Sequence, residues 1–226
     1  MNVAVIRFPG SNCDLDTVHA LKDVLRANCR FVWHKEFDSS KFEAVVLPGG
    51  FSYGDHLRAG IIAAFSPAMK EIKKMAAEGK PVLGICNGFQ ILVESSLLPG
   101  ALLRNSRMNF VCKWVTLRVE SGKSFFTSSL KPGTLLKMPI AHGEGRYYID
   151  AGELAFLRRN GQIVFKYVDE NGEASAQANP NGSLENIAGV CNEKGNVLGL
   201  MPHPERASEA VLGGIDGRKI LEALAR

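Results

Sequence analysis

The stretch Pro81-Val82-Leu83-Gly84-Ile85-Cys86-Asn87-Gly88-Phe89-Gln90-Ile91-Leu92-Val93 decides the fold class. Its first half is a short apolar run of the kind that makes a strand buried on both faces. The run passes into Cys86-Asn87-Gly88 without a polar break, and Phe89, Leu92 and Val93 then recur at helical spacing. A strand that turns directly into a helix forces the residue at the corner into a strained backbone. Glycines two positions away on each side remove the side chains that would collide there. The corner residue is then lifted above the sheet at a helix N-terminus, where free amides and the helix dipole favour a thiolate over a thiol. The Asn87 amide is placed to donate to an oxyanion. The plain alternative is that Cys86 is a small buried residue, as many intracellular cysteines are.

Upstream of the corner, strand-like and helix-like runs alternate. Residues 2–7 read as a first strand ending at Pro9-Gly10. Leu15, Val18, Leu21, Val24 and Leu25 then follow helical spacing, with Asn12 or Asp14 expected to cap that helix. Strands are expected at 30–34 and 43–47, the latter stopped by Pro48-Gly49-Gly50, and at 81–85. Ser66-Pro67 pairs an N-cap residue with an N1 proline, opening a helix that should end at Gly79. This alternation predicts a parallel sheet with helices on both faces. The second half reads differently, with strands at 111–119, 134–140, 162–168, 187–191 and 197–201 separated by turn dipeptides such as Pro132-Gly133 and Asn171-Gly172. The last two flank Asn192–Asn196 and read as a hairpin; Asp216 is expected to cap a final helix. The expectation is one α/β domain over 1–226, with a mostly parallel central sheet, flanking helices and extra antiparallel strands in the second half.

Composition narrows the function classes. The chain has 226 residues, 46% of them apolar and 22% charged, which excludes a disordered chain. The net charge of +4 comes from 27 basic and 23 acidic residues that are interspersed, so neither nucleic acid nor a membrane surface is expected as a partner. No apolar run approaches the ~18 residues of a membrane span. The opening residues lack the basic and long apolar segments of a signal peptide. Five scattered cysteines, none in a Cys-x-x-Cys pair, argue for reduced thiols in a cytoplasmic setting and against a structural zinc. Cys13, Cys29, Cys112 and Cys191 lack the corner context of Cys86 and read as structural.

A thiolate nucleophile needs a base and a group that orients the base. His203 lies in Met201-Pro202-His203-Pro204-Glu205-Arg206. Prolines on both sides bias this stretch to extended geometry, in which residues two apart face the same way. His203 and Glu205 then form a base and its orienter at the shortest possible spacing, unless the segment is only a polar surface turn. Pro48-Gly49-Gly50-Phe51-Ser52-Tyr53-Gly54-Asp55 follows a strand's carboxyl end, where open α/β sheets bind ligands. Its diglycine could aim a second amide at an oxyanion. A phosphate loop would need a lysine followed by serine or threonine, which is missing here. His19 and His34 read as structural, while His56 and His142 stay open.

Taken together, Gly84-x-Cys86-x-Gly88-x-Gln90, the diglycine loop and His203-Pro-Glu205 resemble the class I glutamine amidotransferases. Pro9-Gly-Ser-Asn-Cys-Asp14, the Phe51-Ser-Tyr-Gly-Asp55 sequel and Pro139-Ile-Ala-His-Gly-Glu-Gly-Arg146 are similar to the glutaminase subunits of phosphoribosylformylglycinamidine synthases. The resemblance runs from about residue 3 to the end. It implies a flavodoxin-like sheet and a Cys86-His203-Glu205 triad that releases ammonia from glutamine. Oxyanion and substrate contacts are implied at Gly50, Asn87, Gln90, Asn105 and Ser106. It further implies an ATP-using synthetase subunit that receives the ammonia in purine biosynthesis, and a small bridging subunit. No cofactor or metal is expected in this chain, and no motif in it binds ATP. Two rivals are weighed. Stress-response or chaperone-like proteins of the same elbow fold can carry a histidine directly after the cysteine, where this chain has Asn87. A catalytically dead regulatory subunit should lack one of the triad residues, all of which are present. Within the family, the ammonia acceptor could also be another compound.

Overall fold

The computed structural model describes residues 1–226. Its centre is a nine-stranded sheet. In chain order the strands are β1 (Asn2–Arg7), β2 (Asn28–Trp33), β3 (Ala44–Leu47), β4 (Val82–Ile85), β5 (Ala101–Leu103), β6 (Val111–Val119), β7 (Leu135–His142), β8 (Arg146–Tyr148), β9 (Ile163–Val168), β10 (Ile187–Cys191) and β11 (Val197–Leu200). The large sheet runs β2-β1-β3-β4-β11-β10-β9-β6-β7, and β5 pairs with β8 in a separate ribbon. The pairings from β2 to β11 are parallel, and those from β11 to β7 are antiparallel.

The two halves differ in burial for a physical reason. Strands β3, β4 and β11 are buried at every position, because helices cover both faces of the parallel half. Strand β7 alternates, burying Leu136, Met138, Ile140 and His142 on one face only. Helices α1 (Asp14–Val18, continuing into wider turns to Val24), α2 (Ile61–Ala64), α3 (Pro67–Ala77), α4 (Asn87–Glu94), α5 (Ala151–Arg159) and α6 (Arg218–Leu221) fill the layers. Helix α3 begins as its sequence dictates, with the Ser66 side chain accepting from the Ala68 amide and Pro67 at the first position. It ends just before Gly79, which takes the left-handed conformation at φ 82°.

Two local expectations are corrected, and one helix was missed. Neither Asn12 nor Asp14 caps α1; Cys13 occupies the N-cap without a side-chain bond, and Asp14 instead pairs with the Arg7 guanidinium. Asp216 does not cap α6, whose N-cap is Gly217; its carboxylate accepts from the Lys137 amide at 2.9 Å. Helix α5, capped by Asp150 at the amides of Gly152 and Glu153, was not anticipated, because only Leu154 and Leu157 face the core.

Register brings the site together. Leu47 pairs with Gly84, and Gly84 with Gly199, so β3, β4 and β11 end level. The Cys86 amide donates to Leu200 O at 2.8 Å. The diglycine, the corner cysteine and the His203 segment therefore leave the sheet side by side. Strand β7 is last in the pairing order, yet its end returns to the same place: the His203 amide donates to Pro139 O at 2.8 Å. The antiparallel half must curl to achieve this, as twisted sheets do.

Candidate active site

Cys86 sits at the N-cap of α4 with φ 49° and ψ −103°, a conformation that L residues rarely adopt. The flanking glycines are steric necessities. A Cβ on Gly84 would stand 2.7 Å from the Gly88 backbone, and one on Gly88 would stand 2.0 Å from Leu47 O. The Asn87 amide lies in the first turn of α4, where no carbonyl four residues back can accept its proton. It is thus free to donate to an oxygen above the sulfur.

His203 Nδ1 and Glu205 Oε1 are 2.6 Å apart, with the residues 2% and 1% exposed. The imidazole also lies against the Cys86 sulfur. Burial disfavours its charged form, but the Glu205 carboxylate and the Cys86 sulfur outweigh burial and hold His203 well above the ordinary imidazole value. Its Nε2 is buried without a protein partner. The Cys86 sulfur, the His203 imidazole and the Glu205 carboxylate thus stand together at the elbow.

Cys13 joins this cluster, which the sequence did not reveal. Gly49 holds it close: a Cβ there would stand 2.7 Å from His203 Cε1 and 3.1 Å from Cys13 Sγ. Burial pushes the Cys13 thiol up, partly offset by the nearby His203, while its Sγ donates to Asn12 Oδ1 at 3.1 Å. Cys13, His203 and Glu205 have ligand-type atoms within 4.8 Å of one another, the grouping best able to hold a metal. The nearest imidazole nitrogen and carboxylate oxygen are already engaged with each other, and the Arg206 guanidinium donates to Cys13 Sγ at 3.2 Å. These atoms are thus engaged by the protein's own groups.

The sulfur opens onto a cavity of about 160 Å³ walled by Gly50, Phe51, Asp55, Gln90, Phe110, Ala141, His142, Gly143 and Glu144. Gly50 has φ 149°, and a Cβ there would strike Asn12 N and Ser11 Cα at 2.8 Å. Asn87 and Gln90 knit the walls together. Asn87 Oδ1 accepts from the Ser52 amide at 3.1 Å, and Asn87 Nδ2 donates to Gln90 Oε1 at 2.9 Å. Gln90 Nε2 donates to Glu144 O at 2.6 Å. Gln90 reaches the cavity, but both ends of its amide are engaged by the protein.

Asn105 and Ser106 do not line this cavity. The Asn105 side chain is buried and saturated, donating to Asn109 O and His142 O and accepting from the Gly145 amide. Ser106 is exposed and packs beside Gly182. His34 is structural, bonded to Ser66 Oγ at 2.9 Å, and His56 is exposed. The wall residues Asp55, Phe110 and Glu144 were not expected; Asp55 and Glu144 lie in the motifs that carry the resemblance.

A family model described as a CobB/CobQ-like glutamine amidotransferase domain matches residues 1–217. The phosphoribosylformylglycinamidine synthase subunit PurQ of Thermomicrobium roseum is 58% identical over 224 residues, covering 99% of this chain and 95% of that one. The chain belongs to the PurQ family of glutamine amidotransferases. Its Methanosarcina acetivorans relative, of the same name, is 57% identical over 225 residues, covering 100% of this chain and 97% of that one. A chain in the solved structure of PurLQS from Thermotoga maritima superposes with a TM-score of 0.85 at 45% identity, covering 98% of this chain and 96% of that one. The PurQ relatives thus match this chain along its whole length. No helix of the structure is long and apolar enough to cross a membrane.

Proposed function

We infer that this chain is the glutaminase subunit of a phosphoribosylformylglycinamidine synthase. It hydrolyses glutamine to glutamate and ammonia, and the ammonia goes to an ATP-dependent synthetase subunit that makes formylglycinamidine ribonucleotide in purine biosynthesis. The name PurLQS of the solved assembly supports partnership with a synthetase and a small third subunit. The observation that carries the reading is the buried cluster Cys86–His203–Glu205, set at one cavity in a chain that matches PurQ relatives from end to end. We take the whole of 1–226 as one amidotransferase domain working in the cytoplasm without a cofactor of its own.

The chemistry follows from the geometry. The Cys86 thiolate attacks the side-chain amide carbon of glutamine, and the carbonyl electron pair moves onto oxygen. The Asn87 and Gly50 amides hold that oxyanion. The amide nitrogen takes a proton from His203 and leaves as ammonia, giving a γ-glutamyl thioester. His203, held in place by Glu205, then removes a proton from water as the water attacks the thioester. Glutamate leaves and the thiolate is restored. One imidazole serves as acid and then as base because the Cys86 charge that helps keep it protonated is consumed when the thioester forms, which lowers its hold on the proton for the second step.

The deciding experiment uses the complex assembled with its synthetase. Cys86→Ala is expected to abolish glutamine-dependent amidination while ammonium salts still support it. Glutamine-dependent turnover near the wild-type level would refute the assignment.

A further inference from the structure

Asp55 takes no part in the chemistry above, yet the backbone around it is held in a costly shape. Tyr53, Gly54, Asp55 and Leu57 all have positive φ, at 56°, 68°, 52° and 70°, and three of them are not glycine. Such strain persists where the surroundings over-determine it. Here the Tyr53 amide is tied to Pro9 O at 2.7 Å and the Ser52 amide to Asn87 Oδ1 at 3.1 Å. The strained run sets the Asp55 carboxylate in the wall of the cavity that Cys86 opens onto, with Oδ1 sealed from solvent and bonded to nothing.

What faces it makes the arrangement stranger. Glu144 lines the same cavity, so two carboxylates share one small space. Burial, and then the charge of Glu144, push Asp55 up to about 6. Glu144 is only loosely committed elsewhere, with Arg104 at 3.5 Å and the Ala59 amide at 3.4 Å. His142 adds a third acceptor. It is nine-tenths buried, and burial followed by the charge of His203 lowers it to about 4, so it is neutral. Its Nδ1 faces Asn105 Oδ1 at 3.2 Å, an oxygen that already accepts from the Gly145 amide. The imidazole proton therefore sits on Nδ1, and Nε2, which has no protein partner, offers a lone pair. The cavity wall thus presents acceptors and negative charge, and a fitting ligand must bring donors and positive charge.

We propose that Asp55 and Glu144, with His142 Nε2, form the subsite that binds the α-ammonium group of the glutamine substrate. The proposal rests on the glutaminase reading and names residues for it. The α-nitrogen of glutamine is four bonds from the amide carbon that Cys86 attacks, so both groups belong in one small cavity. Binding the ammonium supplies the partner that Asp55 lacks, and a glutamine analogue without it gains nothing from Asp55.

The test uses the assembled complex carrying Cys86→Ala, which binds without turnover. Calorimetry measures the affinity for L-glutamine and for 4-carbamoylbutanoate, which is glutamine lacking the α-ammonium. Adding Asp55→Asn is expected to weaken glutamine roughly 10- to 100-fold, the range for a lost charge-assisted bond. The affinity for 4-carbamoylbutanoate should stay within about twofold. Should Asp55→Asn fail to fold, Glu144→Gln is expected to show the same discrimination at a smaller size. Equal losses for both ligands, or unchanged glutamine affinity, overturn the proposal. If instead the wild-type complex releases no glutamate from glutamine, the glutaminase reading itself falls, and the subsite falls with it.

Discussion

Gly88→Ala isolates the closest packing in the elbow. A Cβ on Gly88 would stand 2.0 Å from Leu47 O and 2.7 Å from Leu47 C, where real contacts essentially never fall below 3.0 Å. The obstacle is backbone at the end of β3, so it cannot rotate aside. Helix α4 must lift from the sheet by about 1 Å or more. Two stability effects then oppose each other. Overpacking costs about 1–3 kcal/mol, while alanine gains about 1 kcal/mol of helix propensity over glycine. The net loss is on the order of 0–2 kcal/mol, a fall in Tm of only a few degrees for a chain this long. Activity has no such offset. Cys86 caps α4, so the same movement carries the sulfur and the Asn87 amide away from His203. A misplacement of this size can cost about 100-fold in rate. The assay is glutamate release by the assembled complex, beside a urea melt and ammonia-dependent amidination. Gly122→Ala, whose Cβ would meet nothing closer than 3.7 Å, is the control and should be nearly silent. A folded Gly88→Ala protein that releases glutamate within about threefold of wild type would show that the close contact does not set the sulfur's position.

His203→Ala should lower glutamine-dependent turnover by about 100- to 10,000-fold, and Glu205→Ala by less, since the carboxylate only orients the ring; equal or reversed losses in steady-state assays would contradict those roles. A glutamine-like chloroketone should modify Cys86 before the other four thiols: burial pushes Cys29 and Cys191 up to about 11 and raises Cys13, while Cys112 is exposed but lies on β6 outside the cavity. Peptide mapping decides this, and dominant labelling elsewhere counts against the site. Burial and then His203 hold His142 near 4, so an unfolded chain takes up that proton first as pH falls from about 6.5. Stability should therefore drop between about pH 6.5 and 4, by up to about 3 kcal/mol, and His142→Asn should flatten the curve; identical urea-melt profiles for both proteins would remove His142 as the source.

By itself the sequence determined whatever depends on neighbours along the chain. The corner at Cys86 was legible because its glycines act within two residues, and the Ser66-Pro67 start of α3 because a cap bonds two residues on. Strands buried on both faces read as unbroken apolar runs, so β1, β3 and β4 stood out. The pairing of His203 with Glu205 was expected, but its geometry was not: only His203 is extended, and Pro204–Ala207 turns into a 3-10 helix that brings Glu205 back to the ring. Tertiary structure decided everything that depends on register between distant segments. The 187–191 and 197–201 hairpin was visible, but not that its second strand would slot in parallel beside β4 and deliver His203 to Cys86. Cys13 looked structural because its contact with His203 spans most of the chain. Asp55 and Glu144 share a cavity wall only because β7 curls back over the elbow. Asn105 looked like a substrate contact, yet the fold engages its amide in holding the turn after β7. Local steric rules act over a few residues, whereas long-range pairing is settled by the burial and hydrogen bonding of the whole sheet at once.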